Sequence, residues 1–267
     1  MVDKFKDLLD KYANLIVKVG INQQQGEPLV INAPVEGVEF VRLLAKHAYD
    51  LGATEVHVNW NDGVLTRLKY DHAPMEVFEN FPKWYADGLE DYAEKGAGFI
   101  SISAQDPYLL KGVDPKKIAA SNKSSSLALK DFRKYTMNDL NSWCVMSIPT
   151  KDWAKRVFPD VSEEEAVEKL WDAIFKATRM YEEDPVKAWE EHLKNIENRV
   201  KFLNEKSFKK LYYKSSNGTD LTVELPEGHI WAGGGGKNKK GVYFVANMPT
   251  EEVFTLPHKY GVNGVVY

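Results

Sequence analysis

Residues 28–60, Pro-Leu-Val-Ile-Asn-Ala-Pro-Val-Glu-Gly-Val-Glu-Phe-Val-Arg-Leu-Leu-Ala-Lys-His-Ala-Tyr-Asp-Leu-Gly-Ala-Thr-Glu-Val-His-Val-Asn-Trp, decide the fold. The segment Pro28-Leu29-Val30-Ile31-Asn32-Ala33 reads as a buried strand, because a short apolar run bounded by turn residues suits a strand covered on both faces. Residues 35–51 read as a helix that Gly52 ends. Thr54-Glu55-Val56-His57-Val58-Asn59-Trp60 is a second strand. The alternation continues on both sides. Upstream, Phe5, Leu8, Leu9, Tyr12, Ile16 and Val19 recur at helical spacing, with Gly20 as a stop signal. Downstream, residues 74–95 carry a helical pattern, residues 98–103 form a third strand, residues 116–140 are long and mostly helical, and residues 142–148 form a fourth strand. Strands alternating with helices predict an α/β fold: a parallel sheet with helices on both faces.

The texture changes after residue 150. Residues 150–206 read as helix, broken near Pro159 and Pro185. Ser162 followed by Glu163, Glu164 and Glu165 is a helix-opening pattern, a capping hydroxyl with acids in the first turn. After Phe208, short β-like runs separated by turn residues (residues 211–213, 221–225 and 242–245) look like the start of a β-rich domain with antiparallel strands. The expected division is an N-terminal α/β domain with a helical extension over 1–206, and over 207–267 the incomplete beginning of a metal-binding catalytic domain.

Composition excludes several classes. With 43% apolar and 12% aromatic residues, the 267-residue chain can bury a sizeable core. The net charge of −4 comes from mixed signs, so there is no basic face for nucleic acid and no polybasic membrane patch. The first residues hold no apolar run long enough for a secretory signal or a membrane helix. Cys144 is the one cysteine. It rules out an intrachain disulfide and a thiolate zinc site, fits a reducing cytoplasm, and in the apolar run Trp143-Cys144-Val145-Met146 reads as a buried small hydrophobe.

The chemistry gathers in Asn247-Met248-Pro249-Thr250-Glu251-Glu252-Val253-Phe254-Thr255, which places two adjacent carboxylates just after a β-like run. Carboxylate oxygens are good ligands for zinc, cobalt or manganese. The competing reading is that Thr250 starts a helical turn whose positive end the two acids favour. Spacing alone leaves both open.

This motif, with Pro257 and Gly264-Val265-Val266, resembles that of the thermophilic-type metal aminopeptidases (aminopeptidases T, S and PepS). The likeness also covers the opening helix up to Gly20-Ile21-Asn22, residues 160–171, the segment Glu183-Asp184-Pro185-Val186-Lys187-Ala188-Trp189-Glu190, and Gly218-Thr219-Asp220-Leu221. It implies a metal role for the second glutamate, Glu252, with Glu251 as an orienting neighbour. It implies further ligands C-terminal to the motif, namely another glutamate, histidines, an aspartate and a tyrosine. It also implies two divalent metal ions, zinc or cobalt, a peptide substrate and a cytoplasmic homodimer. Family members extend past this point, so the chain is expected to be their N-terminal part, inactive alone and binding zinc or cobalt no better than weakly.

Other candidates are weaker. No His-Glu-x-x-His occurs, and Glu191-His192 stands alone in a helix. His57 lies in a predicted strand and reads as packed. His72 and His229 read as loop residues, His229 with Trp231 in the part similar to the catalytic domain. His258, in Pro-His-Lys, reads as exposed. The glycines at 233–236 before Lys237 fail the phosphate-loop pattern, which needs glycine where Trp231 stands and Ser or Thr where Asn238 stands. No dinucleotide fingerprint follows the first four strands. Ser121 and Ser147 lack a nucleophile-elbow context. Trp171, Phe175 and Trp189 read as core. The expected function is a metal-dependent aminopeptidase. The alternative is a non-catalytic α/β fragment or a peptide- or partner-binding module.

Overall fold

Hydrogen bonding sets β1 (Leu29–Pro34) between β2 (Val56–Asn61) and β3 (Gly98–Ile102), with β4 (Trp143–Met146) beyond β3, all parallel. The computed structural model describes residues 2–104 and 106–267. The four strands expected from sequence are therefore present and parallel. Central β1 is almost wholly buried, which explains why it reads as an apolar run without alternation.

Register shows how the sheet is covered. Val30 lies beside Phe99, and Phe99 beside Trp143, on one face. There Val30 and Phe99 pack with Leu89 and Ala93 of α5 (Lys83–Glu94) and with Phe132 and Tyr135 of α7 (Lys130–Met137). Ile31, Ile100 and Cys144 share the opposite face. Cys144 meets Gly20, the last residue of the π-helical turn Ile16–Gly20 that follows α1 (Val2–Leu15); a Cβ on Gly20 would sit 2.9 Å from its sulfur, so a larger residue there would have to push the sulfur aside. Tyr12 of α1 reaches over to donate its hydroxyl to the Ser147 carbonyl at 3.2 Å. It also heads an aromatic pile: its ring lies 5.2 Å from Phe40 of α2 (Val38–Asp50), while Trp171 and Phe175 of α9 (Glu163–Ala177) stack at 5.1 Å.

Several helices differ from the sequence reading for local reasons. The pattern over 74–95 is two helices, α4 (Glu76–Glu79) and α5, because Pro82 cannot continue a helix. The stretch 116–140 likewise divides at Leu129 into α6 (Pro115–Ala128) and α7. A further helix, α3 (Gly63–His72), was not expected; Asp62 caps it by accepting from the amides of Val64 and Leu65. His72 is thus the last helical residue and not a loop residue. The helical region behaves as expected: α8 (Lys151–Val157) stops before Pro159, Ser162 caps α9, and α10 (Pro185–Lys206) begins at its proline. Among the described residues no helix is long and apolar enough to cross a membrane.

By its contacts the chain falls into two compact units. One contains the residues up to Val186 together with Gly236–Pro249; the other contains Lys187–Gly235 and Thr250–Tyr267. The 206/207 division expected from sequence falls at the end of α10, inside the second unit. In the first unit, β8 (Gly236–Lys237) pairs with β9 (Tyr243–Phe244), and the chain then runs along the outer edge of β4. The Val145 amide donates to the Ala246 carbonyl at 2.7 Å, and Met248 returns a bond to Val145 at 2.9 Å. In the second unit, β5 (Lys210–Lys214), β6 (Asp220–Glu224) and β11 (Val262–Val265) form an antiparallel sheet, and β7 (Ala232–Gly233) pairs antiparallel with β10 (Val253–Phe254).

Candidate metal-binding site

The adjacent acids Glu251 and Glu252 lead directly into β10, with Val253 opposite Gly233 of β7. No helical turn forms after Thr250, so the helix-opening reading of these acids is not realised. The backbone here is held on two sides. Thr250 is buried, and its carbonyl lies 2.8 Å from Nε2 of His192 on α10. A carbonyl only accepts, so Nε2 carries the proton and donates it. The same nitrogen is 3.5 Å from Glu251 Oε2, within ion-pair range but longer than a good hydrogen bond. On the other side, a Cβ at Gly233 would stand 2.7 Å from the Glu252 carbonyl oxygen and 3.2 Å from Val253 Cα. Here glycine allows two backbones to meet.

Gly233→Ala should therefore destabilise the second unit by about 1–3 kcal/mol, the usual cost of forcing volume into a packed site. Urea unfolding gives the energy, and faster amide exchange along β10 would locate it. Wild-type stability and exchange in the variant would refute the close approach.

The Glu252 carboxylate turns back to accept the Glu251 amide at 3.0 Å, and both side chains are exposed. Among the described residues no three His, Cys, Asp or Glu side chains converge as a metal cluster. Glu252 can offer one hard oxygen donor. The described residues fit part of a donor set and not a complete two-metal centre, which needs several more ligands.

The other histidines are placed elsewhere. His57 Nε2 lies 3.0 Å from Asn59 Oδ1, and its ring stacks on Tyr92 at 5.1 Å. His258 is exposed, its amide donating to the Glu224 carbonyl. His229 donates Nδ1–H to the Pro226 carbonyl at 2.9 Å, which leaves Nε2 as the lone-pair nitrogen; it is buried without a partner among the described residues, as is Trp231 Nε1. The Trp231 backbone is tied at both ends to the Asn204 side chain, at 2.8 and 3.0 Å. Cys144 is buried, and burial pushes its thiol well above the usual range, so it is neither nucleophile nor ligand. The glycines at 233–236 connect β7 to β8, a strand-to-strand link without the following helix that a phosphate loop requires. His192 is the residue that sequence reasoning missed. Its bond to Thr250 spans 58 positions, and no local pattern announces it.

Comparison with known proteins bears on this turn. The family model for peptidase M29, thermophilic metalloprotease, matches residues 5–267. Aminopeptidase AmpS of Bacillus subtilis (strain 168) is 50% identical over 265 residues, covering 99% of this chain and 64% of that protein. Aminopeptidase 2 of Geobacillus stearothermophilus is 49% identical over the same shares of each. The solved structure of wild-type AmpT from Thermus thermophilus matches with a TM-score of 0.90 at 39% identity, covering 97% of this chain and 64% of that one. The chain thus spans 64% of the length of these relatives.

Proposed function

Because the chain belongs to the thermophilic metalloprotease (M29) family, we propose that it serves a metal-dependent aminopeptidase activity that releases N-terminal amino acids from peptides. The observation that carries this reading is the family match from residue 5 to 267, which takes in the acidic turn before β10. The names of the relatives support it: each is called an aminopeptidase. In this reading two divalent ions, zinc or cobalt, would supply the activation of water, and Glu252 would hold one of them as an anionic donor. The remaining donors belong to the part of the family's length that this chain does not span. Glu251 and His192 orient the turn from outside the donor set. A reducing cytoplasm fits the one buried cysteine, and a homodimer is the expected assembly.

The test is hydrolysis of an amino-acid p-nitroanilide by two purified proteins, the 267-residue chain and the same chain extended to the relatives' length. The extended protein should turn the substrate over, lose activity to a chelator and regain it with zinc or cobalt. The 267-residue chain alone should not. Chelator-resistant turnover by the extended protein would reject the metal reading. Turnover by the short chain would mean that residues within it complete the site.

A further inference from the structure

A cavity of about 590 Å³ opens at the carboxyl end of β3 and β4, lined by residues of the loop after β3 and by α8 and the loop that follows it. In open parallel sheets ligands gather beyond the carboxyl ends of the strands at the point where the strand order reverses, here between β1 and β3; this cavity lies one strand further along the same end. The cavity lies wholly within the first unit and shares no residue with the acidic turn.

Its walls pair aromatic rings with cations. The Tyr108 ring has the Arg156 guanidinium 4.6 Å from its centre and the Lys111 ammonium 5.5 Å away. Trp153, Lys155 and Pro159 also line it. Three cations thus line the space. The carboxylate beside them, Asp106, accepts the Tyr108 amide at 3.0 Å and forms an ion pair with Arg156 Nε at 3.6 Å, longer than a good hydrogen bond. Among the described residues Lys111 has no carboxylate within ion-pair distance, while Lys155 is committed to the carbonyls of Pro159 and Val161. With one carboxylate against three cations the site is net positive: Lys111 and the part of the Arg156 guanidinium that Asp106 does not face carry the charge that a ligand would meet.

The walls are also fixed in advance. Arg67 of α3 donates one nitrogen to the carbonyls of Leu109 and Lys111 at 3.0 and 2.9 Å, which ties down the loop bearing Tyr108 and Lys111. Thr150, buried, donates its hydroxyl to the Ala104 carbonyl at 2.8 Å, joining the loops that leave β3 and β4. A site whose walls are already ordered loses less entropy on binding. Paired cations suit a carboxylate, and flat apolar walls suit an aliphatic or aromatic body attached to it.

We propose that this cavity binds the free carboxylate end of an amino acid or short peptide, with Arg156 and Lys111 on the carboxylate and Tyr108 and Trp153 against the side chain. The proposal does not rest on the metal-site reading and stands or falls without it.

The probes are N-acetylphenylalanine, its amide and inorganic phosphate, titrated calorimetrically into the 267-residue chain and into its Arg156→Gln and Lys111→Gln variants. N-acetylphenylalanine should bind saturably and the amide at least tenfold more weakly, and Arg156→Gln should weaken the acid at least tenfold. Thermal melting checks that each variant is folded; if Arg156→Gln is not, Lys111→Gln carries the same comparison. Acid and amide binding alike, no saturable binding of the acid, or unchanged binding in folded variants would each overturn the proposal. Phosphate binding as tightly as the acid, with the same loss in Arg156→Gln, would also overturn it, leaving a generic anion patch in which the aromatic walls play no part.

Discussion

Glu252→Gln, made in a protein of the relatives' length, is expected to lower kcat/KM for peptide hydrolysis at least roughly 100-fold and to lower bound metal with it, the scale seen when a catalytic metal site is damaged. The substitution keeps the side chain's size and removes its charge. The amide oxygen of Gln can still accept the Glu251 amide, a bond the carboxylate makes at 3.0 Å, so the turn should keep its shape and the loss should reflect the donor alone. Glu251→Gln should do less, because that carboxylate points to His192 at 3.5 Å. Metal analysis beside steady-state kinetics decides the matter. If Glu252→Gln matched the wild type in rate and metal content, the assignment of Glu252 would be wrong.

Ile100→Ala should have the largest effect on folding. Ile100 is fully buried, lying in register between Ile31 and Cys144 on the sheet face that Tyr12 spans. Removing its outer carbons loses their transfer energy and leaves a cavity that a rigid sheet cannot collapse, a combined cost of about 2–5 kcal/mol. Denaturant unfolding followed by near-ultraviolet circular dichroism measures it. Leu127→Ala is the control: Leu127 is 67% exposed, and its loss should change stability by no more than about 0.5 kcal/mol. Equal costs at the two positions would mean that the first unit's core is not organised around this sheet.

Much of the fold is legible in the sequence because its signals are local. Leu29-Val30-Ile31 announces a doubly covered strand, and Ser162 before three glutamates announces the start of α9. The helix α3 is missed for the opposite reason. It buries no residue and so shows no strong apolar stripe; its one clear signal is the cap at Asp62. The break at Pro82 is a local signal overridden in reading by the longer helical pattern around it. At the candidate site, the two glutamates are visible in sequence, but what holds them is not. His192 and Gly233 act across long separations, and a histidine or glycine does not show in sequence which distant carbonyl it will meet. The cationic cavity is likewise unreadable in advance, since it joins residues after β3 with residues after β4 that no motif links.

The outer edge of β4 is closed by Ala246 and Met248, while α10, β5 and β6 lie between them in the chain. During synthesis the four-stranded sheet therefore leaves the ribosome with its β4 edge unsealed, and that edge stays so until the second unit's helix and first strands have also emerged. An open strand edge is a template for pairing with another chain, and contacts so distant in sequence form slowly. The nascent sheet thus passes through an interval in which its own later residues compete with neighbouring chains for one row of amides and carbonyls, and any polypeptide that stops before Gly236 never leaves that interval.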